Sequence, residues 1–179
     1  MRTFSTEAII LKRSNIGEAD RIVTLFTKDF GKIACIAKGV RKMTSTKRSS
    51  LEPGMYSKIF CAKGHGMPIL TQAQILDDFQ HTRSTLVTTR NLSQVLEILD
   101  TVTVEEEGQD GAFEQVLDIL RALNEDGASS KSRVTQLLRT FLAYLGFQDV
   151  NETKFSTISA YVEFLADKKL KSFSYLTVH

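Results

Sequence analysis

The stretch RIVTLFTKDFGKIACIAK, residues 21–38, decides the fold. Residues 21–27 and 32–38 are short runs rich in β-branched side chains, and KDFG between them carries turn residues, so they read as two strands and a tight connection. Working outward, TEAIILK (6–12) reads as a preceding strand set off by SNIGEAD (14–20). Downstream, MYSKIFCA (55–62) alternates Met55, Ser57, Ile59 and Cys61 against Tyr56, Lys58, Phe60 and Ala62, and PILTQAQIL (68–76) resumes after the turn KGHGM. Five short strands with a long excursion between the third and fourth suit a small closed or partly open barrel, which removes exposed edges from so small a sheet.

After Asp78 the pattern takes the helical period. Leu92, Val95, Leu96, Leu99 and Val102 form one stripe, and Phe113, Val116, Leu117 and Leu120 another beyond the acidic break EEEGQDG. A third stripe, Val134 to Leu145, follows the possible caps Ser129 and Ser130 and stops at Gly146, which suits a left-handed position after a helix. SAYVEFLADKKLKS supplies a weaker fourth helix, with Tyr161, Val162 and Leu165 inward and Lys168, Lys169 and Lys171 near its C-terminus. The expected class is α+β: a five-stranded oligonucleotide-binding (OB) barrel over residues 1–78, followed by an all-α helical domain over 79–179.

Charge separates the same two halves. The 179 residues carry a net charge of only +2, yet up to Leu70 there are 13 basic against 5 acidic side chains, and beyond it 10 against 16. A cationic half concentrates polyanions and an acidic half does not, so the first half is the candidate for nucleic acid. No apolar run approaches the roughly 20 residues that span a bilayer, and the first residues lack a signal-peptide pattern; the expectation is a cytoplasmic, nucleoid-associated protein without a membrane partner.

Enzymatic constellations are missing from the pattern. Gly31-Lys32 is followed by Ile33 and preceded by Phe26 where a phosphate-binding loop needs its first glycine. His65, His81 and His179 have no ligand or nucleophile at a useful spacing, and Cys35 and Cys61 sit in strand-like runs as buried thiols, so neither a metal nor a cofactor is expected. Asp77-Asp78 and the run 105–107 lie at element ends, where solvated boundaries put them.

The basic side chains carry more information. Lys12 and Arg13 end the first strand, Arg21 opens the second, Lys32 and Lys38 bracket the third, and Arg41, Lys42, Lys47 and Arg48 lie on the excursion KGVRKMTSTKRSS (38–50). A barrel brings such segments together, and Arg forks and Lys ammonium groups bind phosphates without reading bases. Phe30 and Tyr56 are the candidate stacking platforms, while Phe26 and Phe60 fall where burial is expected.

The stretch TEAIILKRSNIGEADRIVTLFTKDFGKIACIAKGVRK, followed by LEPG, PILTQAQIL and a terminal KKLKS, resembles the RecO family of bacterial recombinational DNA repair proteins. The likeness is strong over residues 5–78, including G-E-A-D-R at 17–21 and K-G-V-R at 38–41, and extends to the helical half in layout only. The resemblance implies a non-enzymatic recombination mediator that binds single- and double-stranded DNA, anneals complementary strands, works with RecR to help RecA displace single-strand-binding protein, and recognises the acidic, apolar tail of that protein. The positions matching the family's DNA contacts are Lys38, Arg41 and Lys42, with Arg21, Lys47 and Arg48 as weaker transfers.

One departure marks a short member. Some relatives carry a four-cysteine zinc module toward the C-terminus, and FQDVNETKFSTI (147–158) has no cysteine. For the tail, Lys131, Arg133 and Arg139 beside Val134, Leu137 and Leu138 could give a cationic rim around an apolar groove. Two other classes stay open: an RNA-binding OB module in translation or ribosome function, and a protein adaptor whose cationic face docks acidic surfaces.

Overall fold

In a computed structural model the 21–38 stretch forms an antiparallel hairpin, β2 (Asp20–Thr27) against β3 (Gly31–Ala37), in register from Arg21↔Ala37 to Thr27↔Gly31. The structure describes residues 2–42, 45, 47–105, 111–125 and 128–172; Glu106, Glu107 and His179, considered above, lie outside the described residues. Thr27 fixes the turn, its buried hydroxyl donating to the Gly31 carbonyl and accepting from the Phe30 N–H. Gly31 has φ +63°, the left-handed region that glycine adopts without steric cost.

Three more strands complete a closed barrel in the order β1-β2-β3-β5-β4: β1 (Arg2–Ile16), β4 (Tyr56–Lys63) and β5 (Ile69–Asp77). β1 is longer than the sequence reading allows because it serves two partners, β4 along Arg2–Ile9 and β2 along Ala8–Ile16, with a bulge between Ile10 and Lys12. The excursion supplies what the bulge releases: Met55 accepts from the Ile10 N–H, and the Gly54 N–H donates to the Ile10 carbonyl. The inward face packs Ala8, Ile10, Val23, Leu25, Cys35, Ile59, Cys61 and Leu70, and Val40 and Leu51 from the excursion join this core fully buried. Cys35 and Cys61 are free buried thiols with sulfurs 3.7 Å apart; their shared hydrogen bond and burial push the Cys35 thiol upward.

The chain divides into two compact units, Met1–Asp78 with Val104–Gln109, and Phe79–Thr103 with Asp110–His179. Val104 and Glu105, which the sequence places with the helices, group with the barrel, and Glu105 makes a parallel bridge to Lys32 on the edge of β3 opposite β2, beyond the reach of the β5 pairing at Ile36↔Ile69.

The second unit holds four helices: α1 (Leu86–Val102), α2 (Ala112–Leu123), α3 (Ala128–Tyr144) and α4 (Ile158–Ala166). Thr85 and Thr88 form a reciprocal capping box that starts α1. Leu92, Val95, Leu99, Val116, Leu120, Val134, Leu138, Phe141 and Val162 are all buried, as the helical period requires. α3 begins at Ala128, with Ser129 and Ser130 in its first turn; the Ser130 hydroxyl donates to the Ala122 carbonyl of α2. Gly146 (φ +88°) closes α3 as expected, its N–H on Ala143 and the Phe147 N–H on Leu142. α4 is shorter than read: Asp167 turns left-handed at φ +49°, which leaves Lys168, Lys169 and Lys171 beyond the helix and Leu165 38% exposed. Among the described residues no helix is long and apolar enough to cross a membrane.

Candidate nucleic-acid interface

The excursion after β3 is latched to the β1–β2 turn by three contacts. Asp20 accepts the Gly39 N–H at 2.7 Å, the Arg41 N–H donates to the Ala19 carbonyl, and the Arg41 guanidinium donates to the Gly17 carbonyl at 3.1 Å. Gly17 and Gly39, both at positive φ, allow the two turns to present these groups. The G-E-A-D-R and K-G-V-R segments therefore meet in space, with Val40 anchoring the loop in the core and Arg41 and Lys42 exposed outside it.

Arg21 is the centre of this end of the barrel. It is 7% exposed, donates from Nε to the Asn15 side chain at 3.2 Å, and has a buried Nη1 3.5 Å from Glu52 that makes no hydrogen bond. Burial, then the charge of Arg13, lower its pKa from the ordinary guanidinium value; Glu52 opposes this, and Arg48 and Arg41 add to the depression. Four guanidinium groups thus share one local field, and Glu52 is the acid that tempers it, held by Arg13 at 2.7 Å. A guanidinium stays protonated throughout. The arrangement, built from β1, β2 and the excursion, carries more positive charge than Glu52 balances and is suited to planar oxyanions such as phosphate.

The other sequence-derived positions divide. Lys38 is exposed directly after β3, and Lys42 lays its stem along Gly39. Lys47 is half-buried with its ammonium 3.5 Å from the Leu70 carbonyl. Lys12 is exposed on β1 opposite Thr24. Lys32 does not join the set: it is 8% exposed at the start of β3, at the end of the hairpin away from Arg21. Tyr56 spends its hydroxyl on Glu7 at 2.6 Å, whereas Phe30 stays 41% exposed, edge-on to Phe4 at 4.9 Å between centroids.

In the helical unit the expected rim is already occupied. Arg133 pairs with Glu125 at 2.6 Å, and Arg139 grips Asp149 through both carboxylate oxygens, which holds that carboxyl below the usual aspartate range. Lys131 is exposed, but Val134 and Leu138 are core residues and Leu137 is half-buried, so the stripe forms packing rather than an open groove. Sequence reasoning passed over Glu52, whose only signal was its place in LEPG, and the partnership of Phe4 with Phe30, which are 26 residues apart.

Residues 1–79 match the family model described as Recombination protein O N terminal. The chain is 31% identical over 152 residues to the DNA repair protein RecO of Pelotomaculum thermopropionicum, covering 85% of this chain and 59% of that one. It is 36% identical over 127 residues to that of a Roseiflexus species (71% and 44%), and 32% over 119 residues to that of Bacillus subtilis (66% and 47%). The chain spans about half the length of the curated relatives it matches.

Proposed function

Because the chain belongs to the RecO family through its N-terminal OB domain, we propose that it is a DNA-binding recombination and repair protein whose barrel holds the sugar-phosphate backbone on the Arg13, Arg21, Arg41 and Arg48 surface. The observation that carries this is that Arg13 and Arg21 share one carboxylate, Glu52, at 2.7 and 3.5 Å, at the end of the barrel where the excursion brings Arg41 and Arg48 into the same field. Keeping like charges together costs free energy unless an anion joins them.

The mechanism needs no bond chemistry. Two DNA strands on one cationic face repel each other less, so complementary bases can meet and anneal. Binding is to phosphates and independent of sequence. Cooperation with RecR, with the tail of single-strand-binding protein and, through them, with RecA belongs to the same proposal. In the helical unit an acidic, apolar tail finds better chemistry at Phe164, 60% exposed beside Phe155 with Lys154 over both rings, than at Arg133 and Arg139.

A labelled oligonucleotide titrated at several salt concentrations tests the reading. Neutralisation of about three phosphates by the less buried guanidinium groups gives a log-log slope of about −2 for single strands. Arg41→Glu with Lys42→Glu removes both binding and annealing while thermal stability is kept. Weak, salt-insensitive binding would favour the protein adaptor, and preference for RNA over single-stranded DNA at matched salt would favour the translation module.

A further inference from the structure

At the opposite end of the barrel from Arg21 lies a second site, with different chemistry. Arg2 and Lys63 are direct cross-strand partners of β1 and β4, a like-charge pairing that destabilises a sheet when nothing neutral or acidic intervenes. Among the described residues neither has a carboxylate within ion-pair distance. Two residues along, Phe4 pairs with Cys61, which is buried in the barrel core, so Arg2, Phe4 and Lys63 share the inward face where it emerges at the barrel mouth.

Across from them the β2–β3 turn presents Phe30, edge-on to Phe4, and the β4–β5 loop presents Met67; Phe30 and Met67 are each 41% exposed. These groups line a cleft of about 960 Å³. Asp29, and Lys32 with its bridge partner Glu105, line the same cleft, so among the described lining residues three cations face two acids. The Thr27 hydrogen bonds to the Phe30 N–H and the Gly31 carbonyl hold the turn backbone in place, and Phe4 packs against the edge of the Phe30 ring.

We propose that this cleft takes one unpaired nucleotide of a single strand, its base against Phe30 and Met67 and its phosphate between Arg2 and Lys63. The apolar wall supplies a stacking surface for any base, and the like-charged pair supplies the anion site. A base inside a duplex has both faces covered and cannot enter. The proposal rests on the DNA-binding reading and adds to it a preference for single strands that phosphate contacts alone do not give.

The test compares the whole chain with its Phe30→Ala variant on single-stranded DNA, on a duplex, and on an oligomer of abasic sites with equal phosphate count. Stacking on one ring is expected to contribute about tenfold to single-strand affinity. Phe30→Ala removes that factor, Phe30→Trp restores it, and duplex binding changes less than twofold. The abasic oligomer binds wild type and Phe30→Ala alike, and Lys63→Gln weakens single-strand binding without moving the duplex. Equal wild-type affinity for the abasic and ordinary oligomers would overturn the base site while leaving the backbone reading intact. Failure of the wild type to bind any DNA at low salt overturns both.

Discussion

Several arginines are balanced differently in the two units. In the helical unit Arg121, Arg133 and Arg139 each hold a carboxylate of their own, Asp118, Glu125 and Asp149, at 3.0 Å or less. At the barrel end Arg13 and Arg21 share Glu52, and Arg41 and Arg48 add further positive charge around them. Residue counts do not reveal this, because the first half is basic only on average. The lesson is that a cation signals a ligand when its neighbours leave it uncompensated, not merely when it is exposed.

The harshest way to break this contrast is charge reversal. Arg41→Glu combined with Arg48→Glu removes two phosphate partners worth about 1.5 to 3 kcal/mol each, so single-strand affinity should fall by at least about 100-fold. Arg133→Glu, which reverses a neutralised arginine, should change it less than twofold. Fluorescence anisotropy at fixed salt measures both, and equal losses would dissolve the distinction between the units.

A gain of function sharpens it. Glu52→Gln removes the acid that competes with phosphate, and low-salt DNA affinity should rise by about fivefold, with the rise shrinking as salt is added. The same change should cost up to about 1 kcal/mol of stability, because Arg13 and Arg21 lose their partner.

Arg21→Met probes the buried member of the group. Its guanidinium is desolvated, repelled by three others and left with an unbonded Nη1, so an apolar side chain of similar length should leave stability within about 1 kcal/mol of wild type or raise it. DNA affinity should fall. A large loss of stability in chemical denaturation would show that Arg21 is a structural residue and not part of the site.

The smallest effect concerns protons. The Arg139 hydrogen bonds and the Asn151 N–H lower the Asp149 pKa, so this contact contributes stability above the unfolded-state value and loses it as pH falls through the lower folded-state value. Asp149→Asn should flatten the acid limb of the thermal-stability profile slightly and leave DNA binding unchanged. Glu97 follows the same sign: burial opposes its ionisation, but the Lys171 and Ser172 N–H groups outweigh that and lower its pKa. Protection of the 171 and 172 amides from exchange, relative to their intrinsic rates at each pH, should fall as Glu97 is protonated.

Much of the fold was legible because its determinants are local. Alternation and β-branching place five strands, the stripes of Leu92–Val102 and Val134–Leu142 place helices, and Gly31 and Gly146 mark a turn and a helix end. The departures have physical causes: β1 is longer because two partners share it, α4 ends early at Asp167, and Glu105 bridges to Lys32 of β3. Of the proposed site, the excursion and Arg21 were readable as basic segments; Lys32, equally basic, is buried at the other end of the hairpin, and Arg133 and Arg139 are paired with carboxylates.

The sequence by itself determined the strands, the helices, the segregation of charge and the residues able to meet a phosphate, since each follows from side-chain chemistry over a few neighbours. Only the tertiary structure decided which of those residues a neighbouring carboxylate balances. Arg13 meets Glu52 across 39 positions and Arg41 meets Gly17 across 24, and electrostatic balance depends on such distances through space rather than along the chain.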